Sequence, residues 1–278
     1  MLLKRWLKTL LSKLNYTQTV RVGKTAFKIP VIQNMGRANL KQTDTWMLDF
    51  FTSMRLTDTS GFIDIGVNVG QTLLQFRSVS AQPYWGFEPN PSCVHYLNAL
   101  ISANQFKSTH IIPVGLSSKN QLGHFFIKHA ADSAGTMIKE LRPGYYASED
   151  QHYIPLFKMD DLADEFKSVG CIKIDVEGAE LNVIEGMVQF LKHHQAAVVC
   201  EILDAHDQAS LPVMQDRARA LLQIFKDLQY TAYRILHREK PIQYQVVNEL
   251  HLTLWTPASI YLNDYLFWPN SRPFDLSV

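Results

Sequence analysis

The sequence predicts an α/β chain built on a mostly parallel sheet with helices on both faces. Three observations carry this. From residue 44 onward, short apolar runs alternate with helix-length stretches, the pattern of strands buried on both faces. The first such run, Phe62–Ile65, opens into a glycine-rich turn, as at the carboxyl edge of an open parallel sheet. The second run, Tyr84–Phe87, ends in a carboxylate, Glu88.

The elements follow in order. Residues 2–14 carry Leu3, Trp6, Leu7, Leu10 and Leu14 at helical spacing with lysines between them, so they read as a basic amphipathic helix. Charges interrupt that stretch and no small-residue cleavage site follows, which argues against a signal peptide. Residues 1–43 hold nine basic side chains and no acid, and are read as a basic N-terminal arm. The domain proper is read as 44–278, where 18 basic groups face 26 acidic ones. Within it a helix is expected over about 44–56, the buried strand 62–65, a helix from about Gln71, the strand 84–87 and a helix over about 92–105. A third strand, His110–Val114, ends at Gly115. Residues 118–157 are more polar, with short β-like pieces at 124–127 and 153–157, and read as an insertion near the site mouth. Helix 160–167, strand 171–175, helix 179–193, strand 197–201, helix 212–228 and two β segments, 232–236 and 251–255, complete the pattern.

Composition narrows the class. Of 278 residues, 46% are hydrophobic and 19% charged, enough for a real core and against wholesale disorder. No apolar run reaches the roughly 18–20 residues of a membrane-spanning helix. Three dispersed cysteines (Cys93, Cys171 and Cys200) form no disulfide framework and no zinc motif, which points to a reducing, cytoplasmic setting. The basic arm is read as a cap on the core or an oligomer contact, with an anionic membrane surface as the alternative.

The chemistry concentrates at two strand ends. In Asp64-Ile65-Gly66-Val67-Asn68-Val69-Gly70, Asn68 stands where a dinucleotide fingerprint has its middle glycine, and no Walker lysine is present. The turn suits a nucleoside-like ligand without a polyphosphate. Glu88, 24 residues after Asp64, is placed to accept hydrogen bonds from both hydroxyls of a ribose. Together these point to S-adenosylmethionine. Gly115 and Leu116, after the third strand, stand where the adenine edge would lie. In the second cluster, Ile172-Lys173-Ile174-Asp175-Val176-Glu177-Gly178-Ala179-Glu180, Asp175 and Glu177 emerge at the carboxyl edge, and Lys173 shares a strand face with Asp175.

These segments, with Phe87-Glu88-Pro89-Asn90-Pro91, Val114-Gly115-Leu116 and Met159-Asp160-Asp161-Leu162, resemble the ordered motifs of the FkbM-type methyltransferases over about 60–203. The resemblance implies a Rossmann-like class I methyltransferase with a seven-stranded, mostly parallel sheet, using S-adenosylmethionine and methylating hydroxyls of natural products or sugars. It also implies that Asp64, Gly66, Asn68 and Gly70 surround the methionine part. Glu88 would hold the ribose, with Asn90 beside it in the cofactor-binding set, and Asp175 and Glu177 would face the methyl and the acceptor. Val67 and Met159 depart from the family pattern by mild packing changes.

A hydroxyl needs its proton removed, so Asp175, Glu177 and then His206 are the candidate bases. No metal is expected, although Asp175, Glu201 and Asp204 form an alternative oxygen-ligand set. The expected acceptor is a small molecule or glycan. The acidic body works against a phosphate-tracking groove, so no nucleic-acid partner is expected. The rival readings are a non-catalytic S-adenosylmethionine-binding scaffold docking through its basic helix, and a nicotinamide-dependent oxidoreductase.

Overall fold

The protein is described here from a computed structural model, covering residues 15–41, 45–54, 60–129, 132, 135–141, 145–146 and 151–276. The amphipathic stretch 2–14 lies outside the described residues. Among the described residues no helix is long and apolar enough to cross a membrane.

The segment ahead of the sheet has structure of its own. Strands β1 (Tyr16–Val22) and β2 (Thr25–Val31) pair as an antiparallel hairpin. Val22, Phe27 and Ile29 are buried in the main core, so this part of the basic arm is folded onto the domain. Asn39 then anchors the connection to the glycine turn, its side-chain amide donating to the Val69 carbonyl at 2.6 Å.

Helix α1 (Trp46–Met54) leads into β3 (Gly61–Ile65), α2 (Gln71–Val79), β4 (Tyr84–Phe87), α3 (Pro91–Asn104) and β5 (Thr109–Ile112). An insertion follows, with β6 (Gly115–Leu116), β7 (Gln121–Phe126) and β8 (Gln151–Phe157) forming a separate three-stranded sheet in the order β6-β8-β7. The chain returns through a 3-10 turn at Met159–Glu165 to β9 (Val169–Ile174), then α4 (Glu180–Glu185), α5 (Val188–His194), β10 (Ala197–Glu201) and α6 (Leu211–Asp227). Strands β11 (Tyr230–Leu236), β12 (Gln243–Val246) and β13 (Asp264–Pro269) close the domain.

The central sheet has the order β12-β11-β13-β10-β9-β3-β4-β5. The five strands from β10 to β5 are parallel; β13 runs antiparallel between β10 and β11. The sheet doubles back between β3 and β9, which is where an open α/β sheet presents its ligand crevice. This is the Rossmann-like methyltransferase fold, with eight strands where the sequence predicts seven. Two strands, β12 at the edge and β13 inside, are not among those expected, and one expected strand does not form. The expected strand at 251–255 is a loop that bridges to Ala205 and is held by Asp204 and Gln215, and the expected helix 179–193 is broken into α4 and α5.

Alternation along the strands sorts side chains into two cores. Ile63, Ile172, Ile174 and Val198 face α4, α5 and α6, whereas Phe62, Cys171, Val199 and Leu266 face α1, α2, α3 and the hairpin. All three cysteines are buried and none forms a disulfide.

Candidate active site

The glycine turn is shaped first by its neighbours in the sheet. Gly66 has φ +90°, and a Cβ there would lie 1.8 Å from the Asp175 carbonyl oxygen. Its amide donates to the Phe87 carbonyl at 2.9 Å, while the Asp175 amide donates to the Ile65 carbonyl at 2.9 Å. Only a residue without a side chain lets the ends of β3, β4 and β9 approach this closely. Gly70 (φ +79°) opens α2, and a Cβ there would press on Leu97 of α3 at 2.9 Å.

Glu88 binds this turn from the end of β4. Its Oε2 accepts the Asn68 amide at 2.7 Å and its Oε1 accepts the Asn90 amide at 2.8 Å. Asn68 is left-handed (φ +50°), which turns its N–H toward β4. Asn90 also caps α3, its side chain accepting the Ser92 amide at 3.0 Å. Burial raises the Glu88 carboxyl to about 7 against the pull of those two amides. Each oxygen keeps a lone pair beyond its backbone bond.

At the other side of the switch point, Lys173 Nζ lies 2.8 Å from Asp175 Oδ2. Burial works to lower the Lys173 ammonium, but Asp175 and Asp64 outweigh it and hold it above the ordinary lysine value. Asp64 stands opposite Lys173 in the β3–β9 register. It is fully buried, accepts the Tyr84 hydroxyl at 2.5 Å, and is raised by burial to about 6. Glu177 is left-handed (φ +56°), and its carbonyl accepts the Thr136 hydroxyl at 2.8 Å. Further along the edge, Glu201 faces Asp264 across β10 and β13, and His237 Nε2 approaches Asp264 Oδ2 at 3.3 Å. Burial, with Asp175 and Asp264 nearby, pushes the Glu201 carboxyl well up.

These elements line a cleft of about 640 Å³, open solvent included. Gly66, Asn68, Glu88, Asn90, Gly115, Leu116, Asp175 and Glu177 all line it. Asp64, Gly70 and His206 do not. Asp64 is beneath the turn, where it braces Tyr84 and Lys173. Gly70 serves helix packing. His206 lies beside Trp255, their rings 6.3 Å apart, on the loop after β10. Asp204 accepts the Thr253 amide at 2.7 Å and so fastens that same loop. Among the described residues no group of three histidines, cysteines or acids is arranged to hold a metal.

The sequence reading places the insertion near the site mouth but does not name the residues that line the cleft. Phe125, Asp132, Gly135 and Met137 of the insertion close the cleft from above, and Cys93 of α3 joins the wall. The polar stretch 118–157 with its β-like pieces signals the insertion, but nothing local says which of its residues reach Gly115.

The methyltransferase FkbM domain family matches residues 64–232. Among solved structures, the chain is similar to the methyltransferase FkbM from Methylobacillus flagellatus KT, at 15% identity and a TM-score of 0.47. That alignment covers 78% of this chain and 48% of the other, so the chain spans about half the length of that relative. It is also similar to fibrillarin from Aeropyrum pernix, solved with natively bound S-adenosyl-L-methionine (9% identity, TM-score 0.43, covering 91% and 81%). A third likeness is to precorrin-6y C5,15-methyltransferase from Geobacter metallireducens GS-15 (10% identity, TM-score 0.41, covering 80% and 87%). No curated protein matches the chain.

Proposed function

Because this chain belongs to the FkbM methyltransferase family, we propose that it transfers a methyl group from S-adenosylmethionine to a hydroxyl of a small molecule, sugar or natural product. The observation that carries this reading is Glu88, held by two backbone amides at one end of a cleft whose other end bears Asp175 and Glu177. The residues suit the cofactor. The remaining lone pairs of Glu88 match a vicinal diol, and the carboxylates at the β9 end match a cationic centre.

S-adenosylmethionine, when bound, supplies a methyl already activated on a sulfonium. The chain has to hold the acceptor oxygen in line and take its proton, and positioning alone supplies several kcal/mol of the barrier. Lys173 fixes Asp175 by their ion pair, so Asp175 is a rigid wall group at the acceptor end. Asp175 and Glu177, which line the cleft, are the candidate bases; Glu201 stands next to Asp175 along the edge. His206, off the wall, is the weakest of the three bases predicted from sequence.

The test has two arms. Calorimetric titration with S-adenosylmethionine is expected to show binding that Glu88→Gln weakens by roughly tenfold or more, the loss of a hydrogen-bonded charge. A screen of hydroxyl acceptors by mass shift is expected to show a gain of one methylene mass that Asp175→Asn abolishes while binding survives. Failure of the unmodified chain to bind the cofactor would overturn the reading. Binding without transfer to any acceptor would instead favour a non-catalytic scaffold.

A further inference from the structure

We propose that a second cavity, beyond Glu177, receives a hydrocarbon arm of the acceptor, so that the methylated hydroxyl belongs to an amphiphile. This rests on the methyl-transfer reading given above and names its substrate class.

The cavity adjoins the cleft along one stretch of chain. Glu177 lines the cleft, and the next residue, Gly178, lines the cavity. Consecutive Cα atoms are about 3.8 Å apart, so the two sites are next to each other. The volume of the cavity is about 310 Å³, open solvent included. Leu141 of the insertion, Leu181 of α4, Ile202 and Leu203 after β10, Met214 of α6 and Leu252 form most of its wall. Its direction fits an acceptor. The cleft spans the ends of β3, β4 and β5, with Asp175 at its β9 side. A molecule whose hydroxyl stands at Asp175 extends away from the cofactor, toward β10. There the segments leaving β9 and β10 start side by side, since Ile174 is opposite Cys200 in the parallel register.

The two charged groups of the wall are already engaged. Glu180 is buried and accepts the Gly178 amide at 2.8 Å, and burial raises its carboxyl to about 7. Arg217 donates from Nη2 to the Gly178 carbonyl at 3.1 Å and to Asn182 Oδ1 at 2.7 Å, with Glu180 and Glu185 near enough to favour its charge. The rest of the wall is apolar, so the occupant it favours is hydrocarbon. The apolar surface also continues outward. Leu254 and Trp255, just beyond Leu252, are 42% and 43% exposed. Their loop is fastened: the Trp255 amide donates to the Ala205 carbonyl at 2.8 Å, and Gln215 bonds both Leu250 and Leu252. An apolar rim held rigidly in water loses little entropy when an alkyl chain lies on it.

The experiment titrates the full chain, saturated with S-adenosylhomocysteine, with octyl-β-D-glucoside below its micelle concentration and with methyl-β-D-glucoside. Methyl resonances of leucine, valine and methionine are followed by NMR. The octyl compound is expected to bind at least tenfold more tightly than the methyl one, given about 0.8 kcal/mol per buried methylene. It is expected to shift Leu181, Leu203, Met214 and Leu252 of the cavity together with Val176 of the cleft. Ala218→Met, which fills the cavity from α6, is expected to weaken it by about tenfold or more. Leu203→Ser is expected to weaken it about threefold or more, and keeps the test open if the methionine variant does not fold. Calorimetry is expected to show unchanged affinity for S-adenosylhomocysteine in both variants. Absence of saturable shifts in the cavity would overturn the inference while leaving the cofactor reading intact. Cavity shifts without Val176 would overturn it in favour of an amphiphile site separate from the acceptor. Shifts confined to exposed methyls such as Leu122 would mark detergent adsorption and overturn it as well. If the unmodified chain does not bind S-adenosylhomocysteine, the methyl-transfer reading falls and the inference with it.

Discussion

Glu88 ties the proposed affinity to proton concentration. Its carboxyl sits at about 7 in the free chain because burial outweighs two amide hydrogen bonds. A sugar diol is bound by the ionised form. Below pH 7 that form must first be made, so the dissociation constant for S-adenosylhomocysteine should rise about tenfold per pH unit. Titrations at pH 5.5, 6.5 and 8 check this, and Glu88→Gln should bind weakly with no such slope. Gly66 is constrained differently. An alanine there would have φ +90° and a methyl against the Asp175 carbonyl, so Gly66→Ala should destabilise the fold by about 3 kcal/mol or more, read from urea unfolding. That the turn takes glycine was legible from its place after a buried strand. That Gly66 is demanded by β9 rather than by a ligand was not, because β9 lies more than a hundred residues away in sequence.

Among the elements, the insertion and the loop after β9 are fastened to each other. Thr136 is fully buried, donates to the carbonyl of left-handed Glu177, and is bridged to Phe126 in both directions. Thr136→Val keeps the shape and removes the donor. It should cost about 1–3 kcal/mol, because the Glu177 carbonyl loses its donor and the Ile138 amide its acceptor, and speed hydrogen exchange over 135–141 and 175–179. Thr136→Ser should restore most of both. The sequence could be read best where burial is simplest. Strands β3, β4, β9 and β10 are covered on both faces and appear as continuous apolar runs. β1 was missed because most of its side chains face solvent, which leaves no apolar alternation to detect. The segment 251–255 alternates like a strand, yet Asp204 and Gln215 take the amides of Thr253 and Leu252, and the ladder goes to β13 instead. The floor of the site was legible because strand ends fix it locally. The insertion was legible near the site mouth, but its lining residues were not, since their approach to Gly115 depends on how a separate small sheet docks.

Across the whole molecule, three buried acids pull the pH dependence one way. Glu88 and Glu180 sit at about 7 and Asp64 at about 6, all raised chiefly by burial. An acid whose folded value lies above its unfolded value holds its proton more tightly when folded. Stability from these groups is therefore greatest below about pH 4 to 4.5 and is lost as pH rises through 6 and 7. The free chain should melt at a lower temperature at pH 8 than at pH 5.5, and saturating S-adenosylhomocysteine should raise the melting temperature more at pH 8, where Glu88 is ionised. Scanning calorimetry at the two pH values, with and without ligand, checks both signs. The place of β13 carries a different consequence. Among the described strands of this sheet it comes last in chain order, yet it lies inside the sheet, between β10 and β11. Until about residue 269 is translated, β10 has an open edge and the β11–β12 pair has no anchor. A nascent or truncated chain that stops short of Asp264 would thus expose two unpaired strand edges at once, the condition that invites edge-to-edge association between copies.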